Sequence, residues 1–174
     1  MTSGASVHYL EVNLLKLYNF TSNTAEYWET WDNDDGSHSF HWGELGTRGE
    51  FRTVRAPAGT DPTTLVKKQI DNAIALGFKP INVEHHYTLL IEFAVDGMGS
   101  ADDVEKRHRL ENRMNETLGW TGLGVCDGGS IGSGSMEVCN FVVDFDVAKR
   151  VIEEDLANTE FANYKRIFDK NAQR

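Results

Sequence analysis

The chain of 174 residues is long enough for one ordinary domain or two small ones, and a globular chain of this size buries roughly 70% of its unfolded surface. Its composition, with 40% apolar residues, 25% charged residues and 3 prolines, is that of a folded protein and excludes a disordered, fibrous or low-complexity chain. The formal net charge of −10 argues against broad, sequence-independent binding to polyphosphate, because such binding depends on Lys and Arg displacing counterions. Any nucleic-acid role must therefore use a local basic patch.

Membrane and metal signals are weak in the sequence. No apolar run approaches the roughly 18 residues of a membrane helix, and residues 1–7 lack the basic start and apolar stretch of a signal peptide. We therefore expect a cytoplasmic protein without a membrane partner. Cys126 and Cys139 have no CxxC spacing and no His at a metal-ligand distance along the chain, which predicts reduced thiols, no metal site and no cofactor.

The first half of the chain predicts a small antiparallel sheet covered by one helix. Asp61 followed by Pro62 is typical of a helix start, and Gly77 with Pro80 just beyond it is typical of a helix end. The turn-forming cluster 32–36 predicts a hairpin. The predicted strands are 7–17, 25–31, 37–42 and 51–54.

The second half predicts a sheet with two helices. Its first strand is nearly all apolar, which favours a central position, and Ser100 can cap the helix that follows. The order strand, helix, strand, strand, helix, strand is the split βαβ pattern of a ferredoxin-like sandwich. The predicted elements are strand 87–95, a helix after Ser100, strand 123–126, polar loop 127–135, strand 136–144, a helix from Asp146 and edge strand 164–168.

Residues 37–49 read Ser-His-Ser-Phe-His-Trp-Gly-Glu-Leu-Gly-Thr-Arg-Gly, with an aromatic strand before Trp42 and glycines spaced by three. This segment resembles the signature of the WGR domain, and with the flanking strand and helix the resemblance covers roughly residues 6–80. WGR domains occur in poly(ADP-ribose) polymerases that respond to DNA breaks and in bacterial proteins, so the resemblance implies a nucleic-acid-binding or interaction module. Glu44 stands where the family has its arginine. A glutamate there repels the phosphate that an arginine pairs with.

The candidate binding residues of the first half follow from this resemblance and from the basic and aromatic residues around it. They are Trp42, Arg48, Arg52 and Trp31. Trp42 and the glycines can equally serve packing and backbone geometry alone. Because Trp28 and Trp31 are three apart in a strand, we expect them on opposite faces of the sheet.

A glycine-rich stretch in the second half is the other candidate site, since a loop with many glycines can offer backbone amides to a phosphate or carboxylate. Neither a P-loop nor a dinucleotide-binding fingerprint is present. The alternative is a hairpin whose turn needs glycine. The candidate ligand loop comprises Asp127, Gly128, Gly129, Ser130, Gly132 and Ser133.

Catalytic chemistry has little support. If Asp96 and Asp127 end parallel strands, they share one sheet edge. Such a pair of carboxylates is similar to the metal-binding pair in the palm domains of nucleotide cyclases and polymerases. A metal-dependent nucleotide enzyme is therefore the minor alternative. No pairing of a histidine with an acid suited to a serine nucleophile is evident.

The sequence therefore predicts an α+β protein with a WGR-like domain at 1–83, a small antiparallel sheet plus helix, and a ferredoxin-like βαββαβ domain at 84–174. The leading function is that of a non-enzymatic module that binds a nucleic acid or nucleotide, either alone or as part of a larger assembly. The alternative is an acidic interaction or inhibitor protein that docks on a basic partner.

Overall fold

The computed structural model of the protein describes residues 14–21 and 23–172. It contains two antiparallel four-stranded sheets and three helices, so the predicted α+β class is confirmed. Two compact units are present: the first runs to Glu44 and continues over Gly49–Pro80, and the second takes in Leu45–Arg48 and the chain from Ile81 onward. None of the described helices combines the length and apolar composition that crossing a bilayer requires.

The first unit is a meander in which each strand pairs with the next along the chain. The first predicted strand begins at Leu14 among the described residues, and its portion 7–13 lies outside them. The strands are β1 (Leu14–Phe20), β2 (Ala25–Asp32), β3 (His38–Glu44) and β4 (Glu50–Val54).

The helix of the first unit, α1 (Pro62–Ala75), begins and ends as predicted. The Asp61 carboxylate accepts a hydrogen bond from the Thr63 N–H at 3.0 Å, which satisfies a backbone donor at the helix start. At its other end, Gly77 has φ of 98°, and the Phe78 N–H donates to the Ala73 carbonyl as in a Schellman motif.

One face of the first sheet packs against α1 through a small apolar core. Leu15 and Leu17 of β1 contact Ile70 and Ala73 of the helix, and Trp28 of β2 packs against the same cluster. The helix therefore covers the β1 and β2 side of the sheet. On the β3 side of that face, Phe40 is buried and Trp42 is half-buried.

The second unit contains α2 (Ala101–Trp120) and α3 (Phe145–Leu156) with a sheet in the order β6-β7-β5-β8. Its element order is the predicted one, and β5 lies between β7 and β8, as its apolar sequence favours. Ser100 and Asp103 form a reciprocal capping box at the start of α2. The strands are β5 (Tyr87–Ala94), β6 (Gly124–Gly132), β7 (Ser135–Val142) and β8 (Arg166–Asp169).

The prediction of a polar loop at 127–135 is wrong, because β6 continues through this segment to Gly132. Cys126 pairs with Asn140 and Gly129 with Val138, so two residues on β6 face one on β7 and form a β-bulge. The turn is reduced to Ser133 and Gly134, with φ of 52° and 86°, the conformation of a tight hairpin turn. The glycine-dependent hairpin is the arrangement present.

Candidate functional site

A groove of about 540 Å³ in the first unit runs beside α1, over the part of the sheet that the helix leaves uncovered. Its sheet wall carries the rings of Trp28, Phe40 and Trp42, and its helix side includes Phe78. Volumes of this size are typical of sites for small molecules, which combine apolar walls with a few polar groups. The groove is therefore the candidate binding site of this unit.

The strand register arranges this sheet face in three rows across the strands. In antiparallel strands, directly opposed residues lie side by side on one face, and the next row on that face is two residues along. Trp28 of β2 is opposed to Trp42 of β3, so the two tryptophans are cross-strand neighbours. The rows are Asn19 with Glu26 and Glu44, then Leu17 with Trp28, Trp42 and Glu50, then Leu15 with Thr30, Phe40 and Arg52.

Arg52 supplies the positive charge of the groove. Its guanidinium carbon lies 5.9 Å from the centre of the Phe40 ring, and no carboxylate among the described residues forms an ion pair with it. Two other basic residues nearby in sequence form ion pairs: Arg55 pairs with Asp35 at 2.6 Å, and Lys67 pairs with a carboxylate one helical turn further on. The electrostatic field around the groove therefore combines positive and negative charges, and Arg52 contributes an exposed guanidinium to it.

The structure brings together two of the four candidate binding residues of the first unit, since Trp42 and Arg52 line the same groove. Trp31 is on the opposite sheet face from Trp28, as predicted, and packs against Phe51 with ring centres 5.7 Å apart. Arg48 belongs to the connection Leu45–Arg48, which is counted with the second unit, and does not line the groove.

The glycines of the second unit have structural roles. Gly128 lies in the bulge with φ of 93°. Gly129 sits under α2, where its carbonyl accepts a hydrogen bond from Arg107 at 2.8 Å and an added Cβ would lie 2.4 Å from the Glu137 carbonyl oxygen. Gly132 ends β6 and has more space, with the Met98 methyl group 3.6 Å from the position of a Cβ. Packing and backbone conformation therefore account for Gly128 and Gly129.

The predicted shared edge for Asp96 and Asp127 is wrong. Asp127 lies in the bulge opposite Cys139, level with Leu90 in the middle of β5, whereas Asp96 follows the end of that strand. At about 3.3 Å per residue the two positions are roughly 20 Å apart along the sheet. In the described part of the chain, no group of three or more His, Cys, Asp or Glu side chains is placed to hold a metal ion. The palm-like arrangement is not formed.

A buried polar chain on the other face of the first sheet was missed by the sequence reasoning. The His41 Nδ1–H donates to Glu29 at 2.7 Å, the Tyr27 hydroxyl donates to His41 Nε2 at 2.9 Å, and Lys16 donates to Glu29 at 3.0 Å. Burial, and then the charge of Glu29, raise the pKa of Tyr27 above its ordinary value, which keeps it a donor.

This chain links three strands rather than serving a substrate. His41 is 1% exposed and both of its ring nitrogens are hydrogen-bonded. A partial signal for it exists in the sequence, because Glu29 and His41 lie on the two strands that flank the predicted turn; the observed register then places them directly opposite each other.

Gly49, the last glycine of the Trp-Gly signature, supports the same region. Its φ is 59°, and an added Cβ would lie 2.2 Å from the Trp42 carbonyl oxygen and 2.4 Å from the Tyr27 hydroxyl. Only glycine fits this close approach. The glycine thus fixes the backbone next to the groove.

Comparisons with protein-family models, with curated protein sequences and with solved structures found no match to this chain. The WGR and ferredoxin-like assignments stay predictions that depend on the sequence pattern and the order of elements.

Proposed function

We propose that the first unit is a non-enzymatic binding module whose groove holds an unpaired base of a nucleotide or of a single-stranded nucleic acid. The observation that carries this proposal is the groove of about 540 Å³ with paired tryptophans and one exposed arginine. A WGR-like first unit agrees with it.

Stacking accounts for the aromatic wall. Bases have flat faces that stack on Trp and Phe, and such contacts are worth about 1–3 kcal/mol per base. A base inside a duplex is already stacked on both faces, so the recessed rings of Trp28 and Trp42 favour a single strand or a free nucleotide. The groove is also small enough that one or two nucleotides fill it.

Arg52 accounts for the phosphate. A guanidinium offers a planar fork of N–H donors that pairs with two phosphate oxygens at once. Because the chain has a net charge of −10, we expect few phosphate contacts beyond this one, and hence a shallow dependence of affinity on salt. For single strands the slope is about 0.7 for each neutralised phosphate.

A second candidate is docking on a basic protein partner. Glu26 and Glu50 lie on the groove face on either side of the tryptophans, and a lysine or arginine of a partner would find both carboxylates and aromatic faces there. The overall negative charge favours this alternative.

The test is a titration of a fluorescently labelled single-stranded oligonucleotide, followed by anisotropy at low salt. Trp42→Leu should weaken binding about tenfold, because it removes a stacking surface. Trp31→Leu is the matched control, since it makes the same change on the other sheet face, and should bind like the parent. No binding by the parent, or equal losses in both variants, would refute the groove as a nucleic-acid site and leave the basic-partner alternative.

A further inference from the structure

The two outer strands of the first sheet, β1 and β4, differ in what lies beside them. Beside β1, Tyr18 exchanges two backbone hydrogen bonds of 2.8 Å with Lys79, so part of that edge is already paired. In the described part of the chain β4 pairs with β3 alone, and four of its five residues are exposed. A strand edge of this kind is a template for pairing with another chain.

Two opposite charges on β4 restrict which strand can pair with this edge. Glu50 and Arg52 are two residues apart, so both side chains lie on the groove face of the sheet. None of the ion pairs in the described part of the chain includes either residue. Charges on an edge strand discourage pairing with most strands and favour a strand whose charges are complementary. The partner strand must therefore place a positive charge opposite Glu50 and a negative charge opposite Arg52.

A second copy of β4 meets this requirement in one register. Two copies related by a two-fold axis pair antiparallel about a central residue, which then faces itself. When the pair is centred on Phe51, Glu50 lies opposite Arg52 of the second copy, and Arg52 lies opposite Glu50 of the second copy. When it is centred on Glu50 or on Arg52, two like charges face each other, which is destabilising.

We infer that the β4 edge is a dimerisation surface, on which a second copy of this chain continues the first sheet as an antiparallel strand centred on Phe51. The pairing supplies about four to six backbone hydrogen bonds and two cross-strand ion pairs. On the opposite face the two Phe51 rings, each on a side chain that is 49% exposed, lie side by side. The first sheets of the two copies then form one continuous sheet.

The dimer should be weak. A pair of five-residue strands buries less surface than the roughly 1,200 Å² at which stable interfaces begin, so we expect transient association. The net charge of −10 on each copy also opposes it. At about 0.15 M salt, charges further apart than about 8 Å are largely screened, while directly opposed charges still interact. The association is therefore best measured at this salt concentration and at high protein concentration.

The dimerisation surface does not depend on the proposed function but shares Arg52 with it. A phosphate bound to Arg52 occupies the N–H donors that Glu50 of the second copy needs. We therefore expect nucleotide binding and dimerisation to oppose each other, and the dimer is tested without nucleotide.

The test is sedimentation equilibrium between about 1 µM and 1 mM protein in about 0.15 M salt. The parent should change from monomer to dimer over this range. Glu50→Arg and Arg52→Glu each introduce two like-charge pairs and should weaken association about tenfold or more. Both side chains are exposed, so neither substitution should disturb the fold. Glu116→Arg, the same charge change at an exposed position of α2, is the matched control and should associate like the parent.

A mixture of the two single variants tests the register itself. In the mixed dimer both arginines of the Glu50→Arg chain face glutamates of the Arg52→Glu chain, so the mixture should associate like the parent. The double variant, with both substitutions in one chain, should do the same. Misfolding cannot produce this rescue. Net charge cannot produce it either, since one substitution raises the net charge of the chain and the other lowers it.

Each failure has its own meaning. A parent that stays monomeric up to 1 mM overturns the inference and leaves the proposed function standing. A dimer that persists in both single variants, or a mixture that does not associate, overturns the pairing of β4 centred on Phe51.

Discussion

Gly129→Ala separates the two interpretations of the glycine-rich stretch. An added Cβ at this position would lie 2.4 Å from the Glu137 carbonyl oxygen on β7, 2.9 Å from a Glu111 carboxylate oxygen and 3.0 Å from the Arg107 Cδ. Glu111 and Arg107 can move, but the carbonyl is part of the strand ladder. Ordinary contact begins near 3.4 Å, so the strands must separate by about 1 Å at this pair.

The cost of that shift can be compared with a matched variant. Overpacking of this kind costs about 1–3 kcal/mol, and weakening the hydrogen bond from Arg107 to the Gly129 carbonyl adds to it. We expect Gly129→Ala to lower the free energy of unfolding by about 2–4 kcal/mol. In Gly132→Ala the added Cβ would lie 3.6 Å from the flexible end of Met98 and near no other group. This variant should change the free energy of unfolding by less than about 0.5 kcal/mol.

Urea unfolding followed by circular dichroism measures both variants. Equal stabilities for Gly129→Ala and Gly132→Ala would refute the packing argument. If Gly129→Ala kept its stability and lost affinity for a ligand, the stretch would be a binding segment after all.

Two further predictions concern charges. Glu44→Arg should raise the affinity for single-stranded DNA, measured by anisotropy at low salt, because it restores the arginine of the resembled signature, while Glu116→Arg makes the same charge change on α2 and should raise it less. Hydrogen bonds from Lys165 and then from Arg166 hold the pKa of the buried Glu92 below its ordinary value of 4.5. The stabilising contribution of the Glu92 carboxylate is therefore present above pH 4.5 and is lost as the pH falls through the lowered pKa. Glu92→Gln should make the melting temperature decline less steeply than in the parent as the pH falls below 4.5. An equally steep decline in both proteins would contradict this.

Most elements of the fold could be predicted because their signals are local. Asp61 and Pro62 start α1, Ser100 with Asp103 starts α2, and the apolar run of β5 belongs to a central strand. The extent of β6 could not be predicted, since glycine has no local preference for strands. Glycine is required at position 129 because α2 packs closely on the sheet there, a tertiary contact that no local pattern records.

The candidate site was predictable only in part. Trp42 and Arg52 could be chosen by residue type, and their common face follows from a two-residue alternation once the hairpin register is known. The groove itself depends on where α1 lies, because the helix covers the β1 side and leaves Trp42 accessible. Asn19 lines the groove and donates a hydrogen bond to the Leu76 carbonyl, 57 residues away in the chain, a contact that no local pattern records.

The most direct test of the groove is the nuclear magnetic resonance spectrum of the indole N–H groups. The chain has 4 tryptophans, so the spectrum of the ¹⁵N-labelled protein holds four such signals, each assignable by a Trp→Phe variant. On saturation with AMP, the signals of Trp28 and Trp42 should shift, and those of Trp31 and Trp120, which lie outside the groove, should stay in place. Shifts of Trp31 or Trp120 with Trp28 and Trp42 unchanged would contradict the proposed site.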